Sequence, residues 1–586
     1  MALASLAASP VVAGIQQRFL RAAARRGLLP ALTPWDAEAA RALLLSRMPG
    51  FSETLMGWDV PLTAIPDVNE DFTSDAMGRW YEVKLGRSAR QNQGTFYTER
   101  PMIRRLLAEP LARPQARLLD PAMGCGAFLS EALAMTELDS AEARWDFACR
   151  ALYGVDRDPL AREIAILALW LQAGHPEGDP RHLMQNFLLG DSLLPPPEGL
   201  DWSQAFPGPM GEGGFTAVIG NPPFVNVERL DPDVKAVYRE AFPDLQKRFD
   251  LFVPMAARAL DLTRPGGHLA LVLPQAFLTQ AYAEPLRRRF LAETTLLRLA
   301  EADFPGASVR TVLLTARKSP PPADHQILLS VGREEKLPQA PLSGLPEARI
   351  PSRGGEAFAI ALSAFERGVP LGEVAFATWG VRGVPITTFH RDAADHPSCR
   401  PMIKGDGIEP YHVRWGGKYL RYEPDKLYRP LFPQLFEQEK IVLRKVSGSR
   451  GLVAALDREG FYTDDSVLCC QLRRQLDGLP EAISRRFGGP RRSGDLAGYD
   501  LPILLAVLNS RLGAMIFELL LGNGLNVYPG AVMRLPLPPY DAERFAFIRS
   551  LVERRLSANP EEAANLDRIL ETQLAVLYGV DATSLS

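Results

Sequence analysis

Apolar positions along this chain keep two different rhythms. In the first part, to about residue 86, stretches such as "WDAEAARALLLSRM" space their apolar residues three and four apart, which predicts amphipathic helices. From residue 94 to residue 318 short apolar runs take over: "ARLLD", "ALYGVD", "LLGDSLL", "FTAVIGN", "HLALVLP" and "TVLLTAR", separated by helix-like segments. Strands alternating with helices predict a mostly parallel, doubly wound α/β sheet with helices on both faces. The punctuation "SPPPADHQ" ends that regime. A looser mixed α/β pattern follows, with the basic, glycine- and proline-rich stretch "RRFGGPRRSGD" inside it. The expected organisation is a helical region over residues 1–90, an α/β domain over 91–320 and a mixed α/β domain over 321–586.

Composition narrows the class. At 586 residues the chain exceeds what one hydrophobic core usually organises, so several domains are expected. A formal net charge of −3 excludes a globally basic binder, and any positive surface for a polyanion must be local. The five cysteines are odd in number and form no C-x-x-C pair, which argues against a disulfide framework or a zinc site and predicts no metal. No run is apolar over the length a bilayer needs, and the N-terminus has no charged segment ahead of its apolar part. A cytoplasmic protein without a membrane partner is the expectation.

The segment "LLDPAMGCGAFLSEAL" joins an apolar strand, Asp120, a turn with Gly124 and Gly126, and a helix. Glycines let a ligand approach the backbone, and a helix start offers free N–H groups. By itself this is also how an ordinary strand-to-helix turn reads, and Leu129 occupies the third glycine position of a dinucleotide fingerprint. An acid at the loop entrance suits an ammonium-bearing ligand better than a pyrophosphate. S-adenosylmethionine has an amino-acid end, a ribose and an adenine, and the chain offers an acceptor for each. Asp156 in "LYGVDRDPLA" stands at the end of the next strand, where a carboxylate can take both ribose hydroxyls. Asp191 in "NFLLGDSLL" ends another strand, able to accept from the adenine amine. Singly, each aspartate also reads as a cap or loop residue. As an ordered set they converge on the crevice at the strand ends of one sheet.

"VIGNPPFVN" then closes an apolar run with a stiff elbow. The residue before a proline is pushed out of the helical region and each proline fixes its own φ, so the Asn221 side chain and the Pro222 carbonyl are aimed in set directions. Both are acceptors when the Asn221 amide oxygen points inward, and two acceptors can hold the two hydrogens of an exocyclic amine. An aromatic amine needs that help to attack, because its lone pair is delocalised into the ring. Phe224 follows, where an aromatic can stack on a base lifted out of its helix. A rigid loop with a buried phenylalanine is the plainer alternative.

The ordered series "GTFYTERPMIRRLL", "LLDPAMGCGAFL", "GVDRDPLA", "GDSLL", "VIGNPPFVN", "RFDLFVPMAARALDLTRPGGHLALVLPQAFL" and "DFPGASVRTVLL" resembles the gamma-class N6-adenine DNA methyltransferases. The TaqI methyltransferase and the methylase halves of type II restriction enzymes belong to that family. The resemblance covers residues 75–318 closely. It implies a Rossmann-like S-adenosylmethionine methyltransferase sheet, double-stranded DNA as partner, and site-specific methylation of a flipped adenine at N6. It also implies that Thr98, Asp120, Gly124, Asp156 and Asp191 line the cofactor, with Gly126 in the same loop. Asn221, Pro222 and Phe224 fall to the target adenine, and Phe304 in "ADFPGASV" to a second aromatic against it. Glu99 stands where the family usually carries a proline.

The last third more weakly resembles the family's target-recognition domain, through "PMIKGDGIEPYHVRW", "KIVLRKVSGSRGLVAALDREGFYTDDSVLCCQL" and "LLAVLNSRLGAMIFELL". Arg444, Lys445 and Arg450, beside glycine and serine, suit phosphate or base contacts, as do the arginines of "RRFGGPRR", although any one of them also reads as a solvated surface charge. Near the N-terminus, Asp67, Glu82 and Lys84 mimic a PD…ExK nuclease pattern. The short span ahead of the methylase motifs, and the helical reading of "GRWYEVKLGR", oppose it. Other readings stay open: methylation of another NH₂, on an RNA base or a protein glutamine, and a bifunctional restriction-modification or defence-complex subunit with partner proteins.

Overall fold

The computed structural model describes residues 98–585 apart from 111–116, 175–179, 198, 243–244, 246–248, 303–309, 332, 447–450, 490–495 and 523–525. The helices expected before residue 90 lie outside the described residues, and so do Asp67, Glu82, Lys84, Phe304 and Arg450. The chain divides into two compact units, Met1–Ala348 and Arg349–Ser586.

In the first unit the strands are β1 (Leu118–Asp120), β2 (Leu152–Asp156), β3 (Phe187–Leu189), β4 (Phe215–Gly220), β5 (Thr263–Pro274), β6 (Thr295–Ala302), β7 (Thr311–Arg317), β8 (Gln326–Val331) and β9 (Arg333–Pro338). They form one sheet in the order β3-β2-β1-β4-β5-β7-β6-β8-β9. From β3 to β5 every pairing is parallel, and β7 enters antiparallel between β5 and β6. All six residues of β4 are buried, as expected of a central strand covered on both faces. Ala217 and Ile219 share a core with helices Arg100–Leu107, Ala127–Ala134, Ala141–Ala151 and Pro159–Ala173. Helices Phe252–Leu262 and Glu284–Glu293 pack on β4, β5 and β6. The expected doubly wound architecture is therefore present.

Two elements depart from the expectation for a physical reason. "TLLRLAEA" is rich in leucine, alanine and glutamate, which favour helix, yet it pairs with β7 over most of its length as β6. Long-range pairing outweighs the local preference. Past residue 320, "QILLSV" and "REEKLP" form an antiparallel hairpin, β8 to β9, that extends the same sheet. The charged β9 makes that edge a poor template for further strands. Arg287 is fully buried and donates to the carbonyls of Phe277, Gln280, Glu347 and Ala348. Those four acceptors replace the hydration of its charge, and they hold Glu347 and Ala348 at φ 57° and 48°, where non-glycine residues rarely sit.

In the second unit, Ala375–Trp379, Val467–Leu472, Lys440–Arg444 and Ala454–Asp457 form a four-stranded antiparallel sheet in that spatial order. A smaller sheet joins His390–Arg391, Lys418–Arg421, Cys399–Ile403 and Tyr462–Thr463. Helices Leu501–Asn509, Ala542–Ser557 and Pro560–Tyr578 follow. Among the described residues no single helix is long and apolar enough to cross a membrane. The bent apolar pair Leu501–Asn509 and Arg511–Leu521 spends its apolar side chains on the core, with Ile503, Leu504, Leu512 and Leu520 fully buried. Burial pushes the Cys469 and Cys470 thiols up to about 11 and about 12, which leaves them protonated and unreactive near neutrality.

The sheet is locked by one buried ion pair. Lys440 Nζ lies 2.5 Å from Asp457 Oδ2, both side chains inaccessible, and also donates to the Phe436 carbonyl. Asp457 in turn accepts from the N–H groups of Glu459, Gly460 and Phe461, so the pair fixes the turn after Ala454–Asp457. Removing one partner leaves a buried charge uncompensated. Asp457→Ala is expected to cost about 3–5 kcal/mol, read as a lower denaturant midpoint for the transition of this unit.

Candidate active site

The strand order reverses between β1 and β4: β2 and β3 lie on one side of β1, and β4 and β5 on the other. In open α/β sheets such a switch point leaves a crevice at the carboxyl ends of the strands. Asp120 is the last residue of β1, Asp156 the last of β2, Asp191 follows β3 by two residues, and Asn221 follows β4 directly. The described residues predicted for cofactor and base thus meet on one edge of the sheet.

Close packing shapes that edge. A side chain at Gly220 (φ +144°) would begin 2.6 Å from Asp120 Oδ1, so β1 and β4 approach to a distance only glycine permits. Gly124 and Gly126 both have positive φ, and the space next to Gly124 is open to at least 4 Å. At Gly126 an added carbon would lie 2.8 Å from Ala165 Cβ. The two glycines therefore do different jobs: Gly126 lets two helices pack, while Gly124 leaves the backbone approachable.

Asp120 is 1% exposed and accepts from the Ala122 N–H at 3.0 Å. Burial pushes its carboxyl up to about 8; the Ala122 bond pulls the other way, and the negative charge of Asp156 adds to the rise. Asp156 accepts from the N–H groups of Gly124 and Asp158, each at 2.8 Å, and burial raises it as well. Among the described residues neither carboxylate has a cationic partner. Two acids drawn out of water without a counterion suit a ligand that brings positive charge.

Asp191 is placed differently from a free acceptor. Its Oδ1 accepts from Leu193 N at 2.8 Å, its Oδ2 from the Tyr238 hydroxyl at 2.6 Å, and Arg157 Nε stands 3.6 Å away. Burial, and then the bond to Asp191, drive the Tyr238 hydroxyl well above its ordinary value. Sequence reasoning missed Tyr238, which lies 47 residues on in an amphipathic helix with nothing local to mark it.

Asn221 Nδ2 donates to Thr98 Oγ1 at 3.2 Å, across 123 residues of chain, which turns the amide oxygen to the opposite side. Thr98 is buried, Pro222 is buried and Phe224 half-buried. The elbow is clamped beyond the prolines: Leu251 N donates to Val225 O and Val227 N to Phe249 O, both at 2.9 Å. Phe224 meets Phe252 edge-on at 6.5 Å, Phe252 meets Tyr282 at 6.2 Å, and Tyr282 donates to Asp250 at 2.8 Å. That chain of rings backs Phe224 and was not read from the sequence, where Phe252 and Tyr282 look like ordinary helical apolar positions.

In the second unit, Arg444 gives its Nε to the Ile408 carbonyl at 2.6 Å and so ties two strands together. Lys445 Nζ sits 5.0 Å from the centre of the Trp379 ring and 3.9 Å from Asp465.

A doubly wound sheet with acids and an Asn-Pro-Pro-Phe elbow around its switch point defines a class I methyltransferase fold. Residues 150–306 match the family model of the Eco57I restriction-modification methylase, and residues 400–484 that of the TaqI-like C-terminal specificity domain. The resemblance drawn from the motifs, to TaqI-like, type II restriction-modification methylases, is borne out by these two matches. It is 34% identical over 87 residues to the type II methyltransferase M.XhoI of Xanthomonas vasicola, covering 15% of this chain and 16% of that protein. To the restriction enzyme and methyltransferase RM.Eco57I of Escherichia coli it is 25% identical over 173 residues, 27% of this chain and 17% of the relative. The matches thus span less than a fifth of these relatives' length. In fold it is similar to the type IIL restriction-modification enzyme MmeI, solved in complex with DNA, with a TM-score of 0.55 and 13% identity over 88% of this chain and 80% of the other. S-adenosylmethionine is the cofactor of this family, and the uncompensated Asp120 and Asp156 beside the open Gly124 fit its ammonium and ribose ends.

The raised Asp120 has a measurable consequence. A carboxyl held above its unfolded value stabilises the fold while protonated; that contribution is complete below about pH 4 and is lost as pH rises through about 8. Asp120→Asn keeps an acceptor for Ala122 and removes the titration. Without ligand, the melting temperature of the variant relative to the parent should therefore climb steadily from about pH 5 to about pH 9. A difference that is flat across that range would show Asp120 to be ionised throughout.

Proposed function

We propose that this chain transfers a methyl group from S-adenosylmethionine to N6 of an adenine turned out of duplex DNA. The observation that carries the reading is the Asn221–Pro222 elbow, set directly after β4 and across the switch point from the two uncompensated acids. The match of the second unit to a specificity domain supports DNA as the substrate, as does the likeness in fold to an enzyme solved with DNA.

Asp120 and the backbone at Gly124 would hold the amino-acid end of the cofactor, Asp156 the ribose, and Asp191, oriented by Tyr238, the adenine edge. When bound, the cofactor supplies a methyl group made electrophilic by its sulfonium. The chain's own part is to orient the acceptor. Asn221 Oδ1 and the Pro222 carbonyl take the two hydrogens of the target amine, which localises its lone pair and steadies the positive charge that develops on nitrogen. Phe224, backed by Phe252, offers a face for the flipped base. Holding the amine in line with the donor turns a bimolecular encounter into a local step. In this reading the first unit, to Ala348, carries the catalytic part and Arg349–Ser586 the target-recognition part; the boundary expected at 320 falls inside the first unit, because β8 and β9 extend its sheet.

The test is transfer of a labelled methyl group by the purified chain to DNA, RNA and protein in parallel, followed by identification of the modified base. N6-methyladenine in DNA is expected. Asn221→Ala should lower transfer by roughly a hundredfold or more while cofactor affinity, measured by calorimetry, stays near that of the parent. Normal turnover by that variant, or label only in RNA or protein, would end the proposal.

A further inference from the structure

The second unit sets two arginines opposite each other and brings the charge of a third, Arg486, to bear on them. Arg382 and Arg429 face each other across a two-way backbone pair, Arg382 N to Arg429 O at 3.1 Å and Arg429 N to Arg382 O at 3.0 Å. Like charges directly opposite in such a pair repel. The Arg429 guanidinium donates to Thr378 Oγ1 at 3.0 Å instead of meeting an acid. Burial lowers the proton affinity of Arg429, and the positive charges of Arg486 and Arg382 add to that lowering. Among the described residues none of the three makes an ion pair. Of the acids on the same segments, Glu481 pairs with Arg485 and Glu423 with Arg421 and Lys426, while the exposed Asp425 pairs with none of the three arginines.

The cluster is built rather than incidental. Arg473, itself 8% exposed, donates to the Phe487 and Gly372 carbonyls and so fixes the turn behind Arg486. Phe487 packs between Phe376 at 4.9 Å and Phe432 at 5.6 Å. The Arg382 loop is anchored by Gly380 N to Val467 O and Val381 N to Thr463 O. Around the cluster, Tyr428 is 74% and Val384 80% exposed, and Arg382 lies 5.9 Å from the Tyr428 ring centre. A rigid frame thus presents unneutralised guanidinium groups beside an exposed aromatic.

We infer that Arg382, Arg429 and Arg486 form a clamp for the phosphate backbone of duplex DNA, with Tyr428 at its rim. This rests on the reading of the chain as a DNA methyltransferase and locates in the second unit the charge that steers the duplex. The net charge of −3 gives no global attraction for a polyanion, so a local cluster must supply it. Phosphate contacts set affinity and register without reading sequence, and each releases counterions. Arg444 and Lys445 are, by contrast, engaged with Ile408, Trp379 and Asp465.

Binding of the full chain to a fluorescent duplex of mixed sequence, followed by anisotropy between about 50 and 200 mM salt, tests this. The exposed pair Arg382→Ala/Arg486→Ala should weaken binding and flatten the slope of log K against log salt by about 2, while Arg382→Lys/Arg486→Lys retains the slope. Arg568→Ala, on an exposed helix face, should match the parent. Thermal melts confirm that each variant folds. A double alanine variant with the parent's slope overturns the clamp even if the parent methylates DNA, and a parent that binds no duplex overturns it too. A parent that binds with the predicted slope change but transfers no methyl group to DNA upholds the clamp and refutes the methylation reading.

Discussion

The arrangement at the candidate site's edge depends on how closely β1 and β4 run. Their parallel pairing, Leu118 with Ala217 and Leu119 with Val218, carries Asp120 against the end of β4, where a side chain at position 220 would collide with its carboxylate. Glycine must stand there, and the chain must leave at once without covering the crevice. Two prolines after Asn221 achieve this by removing the helical option and the freedom to fold back. Geometry set by strand pairing becomes orientation of an amide oxygen and a carbonyl.

Electrostatics at the edge runs the same way. Asp120 and Asp156 are paid for by backbone N–H groups that satisfy part of their hydrogen-bonding capacity and none of their charge. Burial answers by raising the proton affinity of both carboxyls, Asp120 up to about 8. Asp191, tied to Tyr238, is fixed in direction, which suits recognition of a planar edge better than neutralisation of charge. The acids do not share one role merely because they share one edge.

The second unit shows the converse pattern. Its buried Lys440–Asp457 pair is fully compensated, charge against charge, with N–H groups completing the shell. At Arg382, Arg429 and Arg486 positive charge is held without an ion-pair partner among the described residues.

Much was legible along the chain because it depends on neighbours a few residues apart. The apolar runs marked β1, β2, β4, β5 and β7, glycine and proline marked the turns, and acids at strand ends marked the crevice edge, since strand, turn and cap preferences are local. β6 was not legible, because its composition favours helix and only pairing with β7 and β8 overrides it. Nor was the hairpin beyond residue 320. The bond from Asn221 to Thr98, the hold of Tyr238 on Asp191, the rings behind Phe224 and the meeting of three arginines were decided by tertiary structure alone. These contacts join residues separated by tens to more than a hundred positions, and no spacing in a linear pattern encodes which distant side chains the folded sheet will bring within reach.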